Sequence, residues 1–224
     1  MTQTRQFAIG DIHGCAKTFR QLVRSELNIQ AGEHLILLGD VIDRGPDSKG
    51  VLDEVFALRA EGVRVQVLQG NHEEMLNAAV FSSKHHDYWL NCGGREFLES
   101  FGVTHLSQVP ALYLDELRYS ELYIETATHL FVHAGFNFSK SNLFEDTYAM
   151  RWMRAMEVDP KRTGNRPVLH GHTPRPLAIL LKQNAYNINL DSGCVYTDVE
   201  GMGYLLAYET HSQEFISLKN CEAA

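Results

Sequence analysis

Five short clusters in this 224-residue chain carry residue types suited to metal-assisted chemistry. They are Gly10-Asp11-Ile12-His13-Gly14, Gly39-Asp40-Val41-Ile42-Asp43-Arg44-Gly45, Gly70-Asn71-His72-Glu73, His133-Ala134-Gly135 and His170-Gly171-His172-Thr173. Each alone reads as a turn, a solvated charge or a satisfied core histidine. The set reads differently, because independent turns have no reason to bring Asp, His, Asp, Asn, His and His to one end of one sheet. Aspartate and asparagine offer hard oxygen ligands and neutral imidazole offers nitrogen, a mixture suited to manganese, iron or zinc. The absence of cysteine from the set argues against a structural zinc site. The ligands suffice for two divalent ions. Against Asp11 and Asp40, two such ions leave a formal charge of about +2, which attracts a phosphate dianion. Glycines 10, 14, 39, 45 and 70 let the chain turn sharply beside them without a Cβ clash.

The elements that must position these clusters are apolar runs ending at each one. Phe7-Ala8-Ile9, Leu35 to Leu38 and Val65 to Leu68 read as buried strands. Between them, residues 15–28 and 48–61 space apolar residues three and four apart, as helices do, with Gly62 as a helix stop. A β-α-β-α-β start implies a parallel sheet that binds ligands at the carboxyl ends of its strands. Residues 72–128 read mostly as helix, with an interruption at Asn91-Cys92-Gly93-Gly94. Strands are expected again at 130–132, 168–169, 188–190, 204–208 and 215–218, with a helical segment near 143–156. These late strands are expected to pair antiparallel. With no linker, repeat or low-complexity tract in view, residues 1–224 are expected to form a single domain.

Composition limits the partners. The chain holds 20 basic and 28 acidic residues, a net charge of −8, which argues against a nucleic-acid or anionic-membrane surface. Residues 1–6 lack the apolar stretch of a signal peptide, and no run approaches the roughly 18 apolar residues of a membrane span. A cytoplasmic monomer is the expectation. Cys15, Cys92, Cys194 and Cys221 are scattered and form no C-x-x-C pair.

The motifs GDIHG, GDVIDRG, GNHE, HAG and HGHT, in this order, resemble the calcineurin-like metallophosphoesterases, and specifically the phosphoprotein phosphatases of small bacterial and phage type. The resemblance spans residues 7 to about 193. It implies an α/β sandwich of two mixed β-sheets flanked by helices. It implies that Asp11, His13 and Asp40 hold one metal, that Asp40, Asn71, His133 and His172 hold the second, and that manganese is the expected ion, with iron and zinc as alternatives. A hydroxide bound to both ions would attack phosphorus in line, without a covalent phosphoenzyme. His72 would be the general acid, oriented by Asp43. Arg44 would clamp the phosphate, joined by Asn71 and by Arg154 of a Trp152-Met153-Arg154 element, with Arg151 as the competing arginine. The segment Asn91 to Gly94 also resembles a family segment near the site. Asp191-Ser192-Gly193 resembles a structural turn with no catalytic role, and Cys194 lacks the adjacent base that a nucleophile needs.

The implied substrate is a phosphorylated protein or peptide carrying phosphoserine or phosphothreonine, with phosphotyrosine also accepted. A hydrolase of small phosphorylated molecules is the alternative, either a symmetric dinucleoside tetraphosphate hydrolase, a class that shares the scaffold, or another small-molecule phosphoesterase. The tetraphosphate hydrolases typically lack the aspartate at position 43, carry Asp where this chain has Glu73, lack Thr173 and are longer. A metal-binding protein without catalysis ranks last, because the acid and its orienting carboxylate are both present.

Overall fold

The computed structural model describes residues 4–222. Its first sheet is built on β1 (Gln6–Ile9), β2 (His34–Leu37) and β3 (Arg64–Val67), which run parallel. Helix α1 (Ala16–Gln21) makes the first crossover and continues into a π-helical turn that ends before Asn28, whose φ is +44°. Helix α2 (Ser48–Ala60) makes the second. Asp47 caps α2 by accepting from Gly50 N at 2.8 Å, and Gly62 ends it at φ +90°, a conformation that costs glycine little.

The middle of the chain holds α3 (Asn71–Ala79), α4 (Ser83–Trp89), a π-turn over Leu90–Gly94, α5 (Arg95–Ser100) and α6 (Ala111–Arg118). The strand β4 (Tyr123–Glu125) follows, inside the stretch expected to be mostly helix. It is short and half-exposed, so it lacks a clear alternation. Then come β5 (Leu130–Val132), α7 (Thr147–Trp152), β6 (Val168–His170), α8 (Leu177–Leu180) and β7 (Asn187–Asn189). The chain closes with β8 (Asp191–Ser192), β9 (Tyr204–Glu209) and β10 (Glu214–Lys219).

The first sheet has the order β10-β9-β1-β2-β3, with β8 on β9, and the second the order β4-β5-β6-β7. Strands β8, β9 and β10 pair antiparallel as expected, whereas β5, β6 and β7 are parallel to one another. The long connections 133–167 and 171–186 act as crossovers although little of them is helical, which is why periodicity missed the direction. Both sheets are mixed. Ala8, Ile36 and Leu206 of the first meet Phe131, Leu169 and Ile188 of the second in one buried layer. The other face of the first sheet packs on the helices through residues such as Phe19, Leu52, Val55 and Leu76. No helix among the described residues is long and apolar enough to cross a membrane.

Candidate active site

The five clusters converge on one rim of the sandwich, at the carboxyl ends of β1, β2, β3, β5 and β6. His13, Asp40, Asp43, Arg44 and His172 all adopt positive φ, five of the eight non-glycine residues that do so among the described residues. Such backbone is unfavourable for side chains with a Cβ and persists only where the surroundings impose it. Gly39 is itself at φ +95°, and a Cβ there would lie 2.7 Å from Gly70 N, so the second and third strand ends can approach only with glycine.

The histidines are oriented from behind. His133 directs Nδ1 at the Leu38 carbonyl at 2.8 Å, leaving Nε2 3.5 Å from Asp40 Oδ1 and 3.1 Å from Asn71 Oδ1. His13 directs Nδ1 at the Ile42 carbonyl at 3.0 Å, leaving Nε2 3.6 Å from Asp40 Oδ2. His172 Nδ1 lies 2.8 Å from Asn71 Oδ1, and its Nε2 is buried without a partner. Two groups able to hold a metal result, His13-Asp40-His72 and Asp40-His133-His172, and Asp40 belongs to both. Asp11 stands beside them, its carboxylate accepting from His172 N at 3.1 and 3.2 Å. Burial, with Asp191 and Asp40 close by, pushes the Asp11 carboxyl well above its usual range. Crowded carboxylates, the orphaned imidazole nitrogen of His172 and ligand atoms converging from five strand ends fit divalent cations.

The four site imidazoles divide by charge. Burial lowers His13, His133 and His172, the last to about 3 with His133 adding to the effect, so all three are held in the neutral ligand form. Burial also works against charging His72, but Asp40 and Asp43 overcome it and raise its pKa. His72 Nδ1 lies 2.8 Å from Asp43 Oδ2, and Nε2 is buried and unpartnered, 4.0 Å from Asp40 Oδ2. That is the arrangement of a proton donor aimed into the site.

Three supporting roles lay beyond the sequence reading, which names Glu73 only as part of a motif. Trp89 is fully buried and donates from Nε1 to Asp43 Oδ2 at 2.9 Å. Glu73 accepts from Asp40 N, Val41 N and Gly70 N at 2.8 to 2.9 Å, tying two strand ends together. Three amide donors suit an ionised acceptor, although burial and Asp40 push its carboxyl up to about 8. Tyr196 places its ring 5.8 Å from the Arg44 guanidinium. The Asn91–Gly94 segment proves to be both a helix interruption and part of the site. Gly93 at φ +118° accepts from Arg44 N, and a Cβ on Gly94 would meet the Trp89 ring at 2.4 Å.

The arginines divide as well. Arg44 donates to His13 Nε2 at 2.7 Å and, with Arg154, lines an open cleft of about 320 Å³ over Asp40, Asn71 and His172. Arg151 turns away, bonded to Gln69 Oε1 at 2.8 Å and Glu74 Oε1 at 2.9 Å. Arg154 lies past the end of α7, which closes at Trp152 instead of running to 156. Cys194 is buried, and the neighbouring Cys15 and burial push its thiol up, against a nucleophilic role.

The family model described as calcineurin-like phosphoesterase matches residues 4–208. The chain belongs to this family. Serine/threonine-protein phosphatase 1 of Salmonella typhimurium is 31% identical over 85% of this chain and 87% of its own length. The symmetrical bis(5'-nucleosyl)-tetraphosphatase of Janthinobacterium sp. is also 31% identical, over 58% of this chain and 43% of that protein. Among solved structures, one assigned provisionally as a diadenosine tetraphosphatase superposes with a TM-score of 0.67 at 23% identity, covering 98% of this chain and 95% of that one. A serine/threonine phosphatase from Saccharomyces cerevisiae gives a TM-score of 0.63 at 15% identity, covering 97% and 79%. As a calcineurin-like phosphoesterase the protein is a hydrolase of phosphoric esters, and its family implies divalent metal ions.

Proposed function

We propose that the protein is a phosphomonoesterase acting on phosphorylated proteins or peptides, with phosphoserine and phosphothreonine as main substrates and phosphotyrosine accepted. The observation that carries this reading is the buried Asp43-His72 pair, with His72 Nε2 free beside Asp40. Asp11, His13 and Asp40 would hold one divalent ion, and Asp40, Asn71, His133 and His172 a second, with manganese as the expected metal and iron or zinc as alternatives. Such ions supply Lewis acidity and an activated water. Arg44 and Arg154 bind the equatorial phosphate oxygens and Asn71 adds an amide. His72 then gives its Nε2 proton to the leaving oxygen while Asp43 holds Nδ1, so a serine alkoxide need not depart unprotonated.

The extent of similarity favours the phosphatase over the tetraphosphatase, since the first covers 87% of its relative and the second 43%. Glu73 supports it too. Its longer side chain reaches three amides on two strand ends, a span for which aspartate is shorter by one methylene. The test uses metal-stripped protein resupplied with manganese and given a phosphothreonine peptide, a phosphotyrosine peptide and diadenosine tetraphosphate in parallel. Metal-dependent phosphate release from the peptides with slight attack on the dinucleotide is expected. Preference for the dinucleotide overturns the reading, and no turnover with two ions bound returns the chain to a metal-binding role.

A further inference from the structure

A second cleft of about 350 Å³ opens beside the catalytic one, and Arg154 lines both. Its other charged residue is Arg175, three positions after His172 in the segment Pro174-Arg175-Pro176. No aspartate or glutamate lines it, in a chain with 28 acidic residues. Among the described residues neither guanidinium makes a side-chain hydrogen bond or an ion pair. The nearby arginines contrast with this: Arg151 pairs with Glu74, Arg166 with Glu125, and Arg162 is spent on backbone carbonyls.

The wall of the cleft is fixed and carries no carboxylate. His170 Nε2 meets Asn187 Oδ1 at 2.8 Å, which fixes the ring against the wall. Asn189 donates to the Thr173 carbonyl at 2.9 Å, and Gln183 both donates to Asn189 O and accepts from Asn189 N. These side-chain amides are held by backbone groups. The net character left facing the cleft is the positive charge of two forks. Asp191 O accepts from Arg175 N at 3.0 Å, so the residue that carries the outer fork is anchored by its backbone while its side chain stays exposed.

We propose that this cleft is a substrate subsite for a second anionic group, a carboxylate or phosphate carried next to the scissile phosphate, with Arg175 as its specificity residue. The inference rests on the phosphatase reading and deepens it. A phosphoresidue seated over Asp40 and Asn71 sends its flanking chain past Arg154, and an acidic side chain there reaches the Arg175 fork. A guanidinium binds either anion through two parallel N–H donors. The same chemistry would accept a distal phosphate of a polyphosphate chain, so the experiment must separate the two sources.

The test compares wild-type protein with Arg175→Gln, both loaded with manganese. The substrates are p-nitrophenyl phosphate, a phosphothreonine peptide with flanking alanines, the same peptide with flanking glutamates, and diadenosine tetraphosphate. Wild-type protein should prefer the acidic peptide over the neutral one about three- to tenfold in kcat/KM, the range of one charge-assisted contact at a partly solvated site. In Arg175→Gln this preference should vanish through KM, with turnover of p-nitrophenyl phosphate and the neutral peptide unchanged. The preference should also shrink as salt rises. A loss confined to the tetraphosphate assigns the second anion to a phosphate chain. An acidic preference that is absent, or that survives Arg175→Gln, overturns the subsite while leaving the phosphatase intact. Failure of both peptides with tetraphosphate cleaved overturns the phosphatase reading itself.

Discussion

The two halves of the rim are built on different terms. The half at the ends of β1, β2 and β3 is buried and tightly tied: Glu73 clasps three amides, Asp43 is held by both Trp89 and His72, and positive φ recurs at His13, Asp40, Asp43 and Arg44. The half at the ends of β5 and β6 supplies two imidazoles and then opens into exposed loops that carry Arg154 and Arg175. On the proposed function, reaction steps that need fixed geometry would fall on the first half, and contacts that vary with substrate on the second. A rigid support lowers the reorganisation required in the transition state, whereas loops can change without unfolding the core.

Asp40 joins the halves, so its replacement should produce the largest effect. Asp40→Asn keeps an oxygen for His72 N but removes the charge shared by both groups of ligands. Turnover should fall at least about 10³-fold and bound metal to fewer than two ions per chain, measured by elemental analysis of the dialysed protein. Chelating the wild-type metals should lower its thermal midpoint, since Asp11, Asp40 and Asp191 then repel one another in a buried site. Two ions retained tightly by Asp40→Asn would refute its bridging place.

His72→Asn confines the damage to the first half. Metal content should stay near wild type while kcat falls by about 10² to 10⁴, most severely for alkyl phosphates, whose leaving oxygen needs the proton. Equal loss on aryl and alkyl substrates would remove His72 from the acid role. In the second half, Arg154→Gln should act through binding instead, raising KM about ten- to a hundredfold for every phosphomonoester, consistent with one lost bidentate contact. Arg151→Gln, whose partners are Glu74 and Gln69, should change KM far less.

The same division explains what the sequence could reveal. Strands β1, β2, β3 and β5 lie within about one residue of their apolar runs: β2 and β5 are buried throughout and β1 nearly so, while β3 buries Val65 and Val67 and leaves Arg64 exposed. Polar residues at their ends stand out against that background, so Asp11, His13, Asp40, Asn71, His72, His133 and His172 were legible as a set. Trp89 was not. Its partner Asp43 is 46 residues away, and a tryptophan in a helical stretch reads as ordinary core. Glu73 hid for a related reason: a glutamate in the first turn of a helix is locally favourable whatever its side chain reaches. The parallel direction of β6 and β7 was invisible because their crossovers are mostly loop, and the short α7 blurred where the Arg154 segment leaves the helix.

The smallest predicted effect probes how rigid the first half must be. Trp89→Phe keeps most of the packing against Phe97 but removes the N–H held by Asp43, whose Oδ1 is already buried without a partner. Loss of a hydrogen bond to a buried carboxylate should cost about 1.5–3 kcal/mol of stability. With one oxygen less constrained, Asp43 holds the His72 ring less firmly, so kcat should fall about tenfold on alkyl phosphates, and less on aryl phosphates, with KM steady. Gly94→Ala tests the same contact from the other side, because its Cβ meets the indole at 2.4 Å and displaces the ring. If both substitutions act by freeing Asp43, the double variant should lose little more activity than either single one. Additive losses, or a shift in KM without one in kcat, would mean that Trp89 only fills space and that the acid is positioned by Asp43 alone.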